Sequence, residues 1–139
     1  MTSIETPPRA VRQRTLSILI VAETFLPVVN GVTNSVLRVA EHMVGRGHTV
    51  RIVAPGPGPD LYENVPVFRS RSLGVPGYGG LRFGIGGLAF ERAIEEERPD
   101  VLHIAAPATL GARALTRASQ LGIPTVAIYQ TDLAGFASR

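Results

Sequence analysis

Few residues in this sequence are equipped for chemistry, and where they fall is informative. Asn30-Gly31-Val32-Thr33-Asn34-Ser35 joins a glycine, over which a ligand can approach the backbone closely, to residues that open helices well. Free N–H groups at such a start, aided by the helix dipole, suit a phosphate. Asn, Thr and Ser equally suit a plain turn and N-cap, so the local pattern leaves both readings open. Gln130-Thr131-Asp132 offers an amide, a hydroxyl and a carboxylate for hydrogen bonds to a hydroxyl-rich ligand. The bland alternative is a helix N-cap by Thr131 or Asp132. Glu23 is the other carboxylate candidate. Arg82 is either a solvated loop charge or a contact for an anion or lipid headgroup.

Other chemistries are excluded by composition. There is no Cys among the 139 residues, so thiolate catalysis, disulfides and Cys-ligated metals are absent. All 14 basic residues are Arg, which rules out a Walker A lysine and Schiff-base chemistry. The three histidines, His42, His48 and His103, would all have to meet to build a His-rich metal site. On pattern, His103 is a core or rim histidine, His48 ends a helix and His42 faces solvent. A net charge of +3 with 6% aromatics gives nucleic-acid binding little support. No paired-acid spacing and no G-x-S-x-G elbow occur. Gly84-Ile85-Gly86-Gly87-Leu88-Ala89 matches G-x-G-x-x-A but follows no convincing buried strand, so it is read as a false dinucleotide fingerprint.

The elements that must position these groups follow from periodicity. Leu16–Ala22 (LSILIVA) is an apolar, β-branched run suited to burial on both faces of a parallel sheet. Val32, Val36, Val39, Ala40 and Met43 recur at helical spacing, and Gly45-Arg46-Gly47 stops that helix. Thr49–Ala54 is a second strand, completing a right-handed βαβ unit. Pro55–Pro59 (PGPGP) must be loop. Val65–Phe68 is expected as a short strand and the glycine-rich Ser70–Gly87 as a long surface loop. Then come a helix over Leu88–Arg98, a strand over Asp100–Ala105, a helix through Leu110, Ala114, Ala118 and Leu121, and a strand over Thr125–Tyr129. Met1–Thr15, with Pro7-Pro8 and three Arg, is expected to be a flexible leader.

Alternating strands and helices predict a doubly wound, mostly parallel α/β sheet. The strands at 16–22 and 100–105 should lie side by side, with their following helices on opposite faces. Ligands of such sheets bind outside the carboxyl ends of the strands at that switch point. Thr24–Thr33, Ala105–Thr109 and Gln130–Asp132 should therefore converge there. The apolar run Leu16–Val29 is interrupted by Glu23 and Pro27, too early for a membrane span, and no small-residue cleavage site follows it. A cytoplasmic chain is expected.

VAETFLPVVNGVTNSVLRVAEHMVGRGHTVRIVAP, RPDVLHIAAPATLG and GIPTVAIYQTDLAGFA together resemble the amino-terminal domain of family-four, GT-B glycosyltransferases. Within that family they are most similar to the GDP-mannose-dependent α-mannosyltransferases of glycolipid synthesis. The resemblance covers Leu16–Arg139 and is specific as a set. It implies two Rossmann-like domains around a cleft, with residues 16–139 as a truncated acceptor-side domain and the donor-binding domain missing. It further implies a retaining sugar transfer from a nucleotide-sugar, GDP-mannose, that needs no divalent metal. Gly31 would then meet the donor diphosphate through its N–H, while Asn30, Thr33, Thr131 and Asp132 would fall where relatives contact the acceptor. Arg82, in LRFG, would meet an anionic headgroup or the inner face of the plasma membrane. Gln130 is the catalytic-position candidate. Many relatives carry His there, and an amide cannot shuttle a proton at neutral pH, so its role would be a hydrogen bond to a sugar hydroxyl. Ala108 stands where inositol-lipid-using relatives tend to have a polar residue. Without the donor-binding domain the chain is expected to be an inactive fragment. The competing reading is a non-catalytic α/β ligand-binding or scaffold domain. A receiver domain would need clustered acids after the first strand and a late Lys, which are missing.

Overall fold

The computed structural model describes residues 14–77, 82–106 and 108–128. Of the expected leader only Arg14 and Thr15 fall within them. The first strand, β1 (Ser17–Val21), alternates Ile18 and Ile20 toward one side with Leu19 and Val21 toward the other, and all four are buried. Burial of each such side chain stabilises the fold by roughly 1.5–3 kcal/mol. That explains why the segment is a continuous apolar run with no polar face.

The chain continues through α1 (Gly31–Gly45), β2 (Thr49–Pro55), β3 (Leu61–Tyr62), β4 (Val65–Gly74) and β5 (Arg82–Gly86). It then forms α2 (Leu88–Glu91), a π-helical turn over Arg92–Glu96, β6 (Val101–Ile104), α3 (Thr109–Leu121) and β7 (Thr125–Ala127). Among the described residues seven strands run in the order β3-β4-β2-β1-β6-β7, with β5 paired to β4. All pairings from β4 to β7 are parallel, whereas β3 and β5 are antiparallel to β4. This is the expected doubly wound α/β sheet. β1 and β6 are neighbours, in register from Ile18 opposite Val101 to Val21 opposite Ile104. Val36 and Ala40 of α1 pack on the Ile18/Ile20 side, while Leu110, Ala114 and Ala118 of α3 pack on the Leu19/Val21 side. The two helices thus leave opposite faces at the switch point.

Both long helices carry their stops in the sequence. Beyond α1 comes Gly47 at φ 89°, and α3 ends at the left-handed Gly122, φ 69°, where the Ile123 N–H returns to the Ala118 carbonyl at 2.9 Å. His48 does more than follow a helix end, because its Nδ1 accepts the Leu16 N–H at 3.0 Å. No helix among the described residues is long and apolar enough to cross a membrane.

Three expectations need correction. The strand predicted over Val65–Phe68 runs on to Gly74, and Ser70–Gly87, predicted as a surface loop, contains the second strand of a hairpin, with Leu73 opposite Phe83. Glycine there marks both a register shift, where the pairing steps from Arg71–Gly86 to Ser72–Gly84, and close packing, since a Cβ on Gly84 would overlap the Leu110 side chain of α3. The helix predicted over Leu88–Arg98 is one α-turn followed by a π-turn ending at Glu96. Glu95, Glu96 and Glu97 place negative charge at a helix C-terminus, where the dipole opposes it. Finally, β3 is a two-residue strand with no periodic signal. The G-x-G-x-x-A match straddles the end of antiparallel β5 and the start of α2, with Gly86 and Gly87 at φ 88° and 112° turning the chain into that four-residue helix. No phosphate-binding turn between a parallel strand and its helix is formed there.

Candidate functional site

The carboxyl ends of β1 and β2 open onto a cavity of about 210 Å³, lined on the β1 side by Glu23, Thr24, Phe25 and Val28 and on the other by Gly56 and Arg82. Its walls are the Thr24–Asn30 loop and the Pro55–Pro59 segment. A larger depression, about 340 Å³, lies on the outer side between α2 and α3, beside Phe90, Arg113 and Arg117. Arg117 is ion-paired there with Glu95.

The α1 start is built from adjacent residues. Asn30 Oδ1 accepts the Thr33 N–H at 2.9 Å, and Asn30 Nδ2 donates to Thr24 Oγ1 at 3.2 Å. Asn30 is thus the N-cap, and its amide is tied back to the end of β1. Thr33 is wholly buried and donates its hydroxyl to the Val28 carbonyl at 2.9 Å. It braces the loop from beneath and presents no surface to the rim. Gly31 is the first helical residue, exposed, with nothing within 4 Å of where a Cβ would stand. Among the described residues, the N–H groups of Gly31 and Val32 take part in no hydrogen bond, as expected of the first positions of a helix.

The α3 start is built from a distance. Ala108 occupies the N-cap position and its methyl group cannot accept a hydrogen bond. Glu23 supplies the missing acceptor: Oε1 takes the Gly111 N–H at 2.8 Å, and Oε2 takes the Thr109 hydroxyl at 3.1 Å and the Leu110 N–H at 3.3 Å. The carboxylate at the end of β1 is therefore engaged as a cap.

Arg82 sits on the cavity wall. Its Nε donates to the Gly56 carbonyl (3.1 Å) and the Ser72 hydroxyl (2.7 Å), and Nη2 donates to the Ser72 carbonyl (3.2 Å). Ser72 in turn donates to the Gly56 carbonyl. The guanidinium is exposed but held in place, with Nη1 unbonded among the described residues.

Sequence reasoning missed Arg69. Half-buried on β4, it donates to the carbonyls of Leu26, Pro55 and Pro59 and lies 5.6 Å over the Phe25 ring. Burial pulls its pKa down from the ordinary arginine value. The only local hint was PGPGP, whose prolines lack N–H donors and so end the ladder after Pro55, leaving carbonyls there to find donors elsewhere. Gly58 is required beside it, since a Cβ there would stand 2.7 Å from the backbone carbonyl oxygen of Leu26.

Of the three segments expected to converge, Thr109 at the end of the second is joined to Glu23, the residue just before Thr24–Thr33. Pro107, Gln130, Thr131 and Asp132 lie outside the described residues. His103 is half-buried on β6 beside Ile20, and desolvation lowers its pKa from 6.5. Among the described residues no three His, Asp or Glu side chains cluster as metal ligands would.

The sequence pattern of Glycosyltransferase Family 4 matches residues 29–138. A GDP-mannose-dependent alpha-mannosyltransferase of Mycobacterium tuberculosis is 46% identical over 127 residues, covering 87% of this chain and 34% of that protein. Its Corynebacterium glutamicum counterpart is 43% identical over 132 residues, covering 91% of this chain and 32% of that protein. An alpha-monoglucosyldiacylglycerol synthase of Acholeplasma laidlawii is 30% identical over 116 residues, covering 81% of this chain and 29% of that protein. The chain spans about a third of the length of these curated relatives.

Proposed function

Because the chain belongs to glycosyltransferase family 4, we propose that it forms the acceptor-side half of a retaining α-mannosyltransferase, which moves mannose from GDP-mannose to a glycolipid. Support for the donor comes from the mannosyltransferases that resemble most of the chain, and support for a lipid acceptor from the diacylglycerol glycosyltransferase among them. The observation that carries the reading is the rim itself. An exposed Gly31 begins α1 at the β1–β6 switch point, and a cavity with apolar walls and a fixed guanidinium opens beside it.

In the proposed reaction the donor diphosphate lies over Gly31. The N–H groups of Gly31 and Val32 and the positive end of α1 stabilise the charge that grows on the leaving group, so that no divalent metal is needed at this half of the cleft. Asn30 holds those donors in place, and Thr33 supports the loop through Val28. The acceptor sugar occupies the cavity against Phe25 and Val28, with Thr131 and Asp132 as hydrogen-bonding partners for its hydroxyls. Gln130 contributes an amide hydrogen bond to a sugar hydroxyl and no proton transfer. Arg82 turns its remaining donors to an anionic lipid headgroup, which places the enzyme at the cytoplasmic face of a membrane. The rest of the nucleotide is gripped by a second Rossmann-like domain.

Amide NMR of the chain titrated with pyrophosphate, GDP-mannose and a glycolipid acceptor tests this. The reading expects saturable shifts at Gly31 and Val32 with pyrophosphate and at Thr24, Phe25 and Thr131 with the acceptor. A flat response at both sets would overturn it and favour a scaffold that keeps only the fold.

A further inference from the structure

The depression of about 340 Å³ between α2 and α3 shares no lining residue with the cavity at the strand ends. Its volume is that of a pocket for a small ligand. Arg113 and Arg117, one turn apart on α3, both line it, and they are satisfied very unequally. Arg117 is surrounded: Nη2 is paired with Glu95, Nη1 donates to Gln120 Oε1 at 2.9 Å, and Glu91 Oε2 lies 3.9 Å from Nε. That last separation is too long for a hydrogen bond. Nε is a buried N–H with no hydrogen-bond partner among the described residues. Arg113 is exposed and makes neither a hydrogen bond nor an ion pair among the described residues.

Arg113 is nevertheless held in place. Its guanidinium lies against Gly86, where a Cβ would stand 3.2 Å from Nη1. The two arginines are matched in number by Glu91 and Glu95, yet both carboxylates stand at Arg117. A like charge one turn away disfavours an unpaired Arg113, and a bound anion would remove that cost. We propose that the depression is a ligand site for a small hydroxylated oxyanion, a polyol phosphate or a hydroxy acid, anchored by Arg113. A phosphate or carboxylate takes two parallel N–H donors from one guanidinium, the strongest use of that group. A ligand hydroxyl enters between Arg117 and the exposed Glu91 side chain, accepting from Nε and donating to the carboxylate. The buried Nε–H thereby gains its acceptor. The site is independent of the sugar-transfer reading.

Backbone amide and arginine Nε–H NMR of the full chain tests this. The probes are glycerol 3-phosphate and malate, their hydroxyl-free analogues propyl phosphate and succinate, and chloride at matched ionic strength. Glycerol 3-phosphate or malate should shift Arg113, Thr116 and Arg117 saturably and move the Arg117 Nε–H signal downfield. The analogue without hydroxyls should bind severalfold more weakly, and the tighter of the two pairs tells whether the oxyanion is phosphate or carboxylate. Arg113→Gln should keep the wild-type Tm and abolish the saturable shifts. Arg113→Lys should weaken them severalfold, because a point charge replaces the fork. Arg92→Gln, outside the depression and paired with Glu96, should leave them unchanged. Wild-type shifts no larger than those from chloride, or saturable shifts that survive Arg113→Gln at full strength, would overturn the site. Equal binding of hydroxylated and hydroxyl-free probes would overturn the part assigned to Arg117 and Glu91.

Discussion

The Arg69 guanidinium of β4 donates to the Leu26 carbonyl at 2.6 Å, fastening a strand of the sheet to a loop 43 residues earlier. Through its other nitrogens it also holds the Pro55 and Pro59 carbonyls, so one side chain sets the spacing of both cavity walls. Replacing Arg69 with Met keeps the apolar stem over Phe25 and leaves three carbonyls without this donor. We expect a loss of about 1–3 kcal/mol, read from the urea midpoint with an unchanged slope. Arg69→Lys should recover only part of it, because a point donor cannot span three acceptors. An Arg69→Met protein as stable as the wild type would show that the brace contributes nothing.

Gly84 faces Leu110 with no room for a methyl group, since a Cβ would stand 2.4 Å from Leu110 Cγ. The Gly84→Ala variant should therefore be destabilised by roughly 1–3 kcal/mol through overpacking. Adding Leu110→Ala should relieve that clash, so the double variant should be more stable than the sum of the two singles predicts. Additive losses in thermal or chemical unfolding would mean that the hairpin does not bear on α3.

These residues also mark where the sequence could and could not be read. β1, β2, β6, α1 and α3 are legible because their signals are local: an uninterrupted apolar run through Ile18–Val21, helical spacing from Val36 to Ala40, and glycine stops at Gly47 and Gly122. The order of those strands fixes the switch point, so the rim near Gly31 is legible too. The β4–β5 hairpin is not, because Gly84 and Gly86 look like loop residues until Leu110, distant in the chain, is packed against the first of them. Glu23 is visible as a carboxylate, but its partners are backbone N–H groups, which carry no sequence signature. Arg69 is hidden for the same reason: its acceptors are backbone carbonyls, 10, 14 and 43 residues earlier in the sequence.

His103 supplies a pH signature. Desolvation lowers its folded pKa below the ordinary 6.5, so the folded state binds the proton less readily than the unfolded chain. The unfolded state therefore holds more protons in the window just below pH 6.5, and stability rises with pH across it. Acidification from neutral pH should cost stability in that window, and His103→Gln should remove this component of the slope. Urea midpoints at a series of pH values measure it; identical slopes in the variant and the wild type would assign the dependence to other groups.

The hairpin also bears on the proposed membrane contact. Leu73 and Phe83 are cross-strand partners that leave 60% and 44% of their surfaces exposed, and Leu88 just beyond β5 is 72% exposed. From Val65 to Phe90 the sequence contains Arg69, Arg71 and Arg82 and no Asp or Glu. Arg69 is engaged by carbonyls, which leaves Arg71 and Arg82 as exposed cations beside an apolar pair. An anionic bilayer complements such a surface: each Arg near it contributes about 1 kcal/mol, and the apolar side chains enter the interface. The chain should co-sediment with vesicles containing anionic lipid, more weakly with zwitterionic ones, and less as salt shortens the Debye length. Arg82→Ala should weaken binding severalfold and reduce its salt dependence, whereas Phe83→Ala should weaken it without changing that dependence. Equal sedimentation with both vesicle types, or none at low salt, would remove the membrane from the proposed function and leave Arg82 as a wall of the cavity.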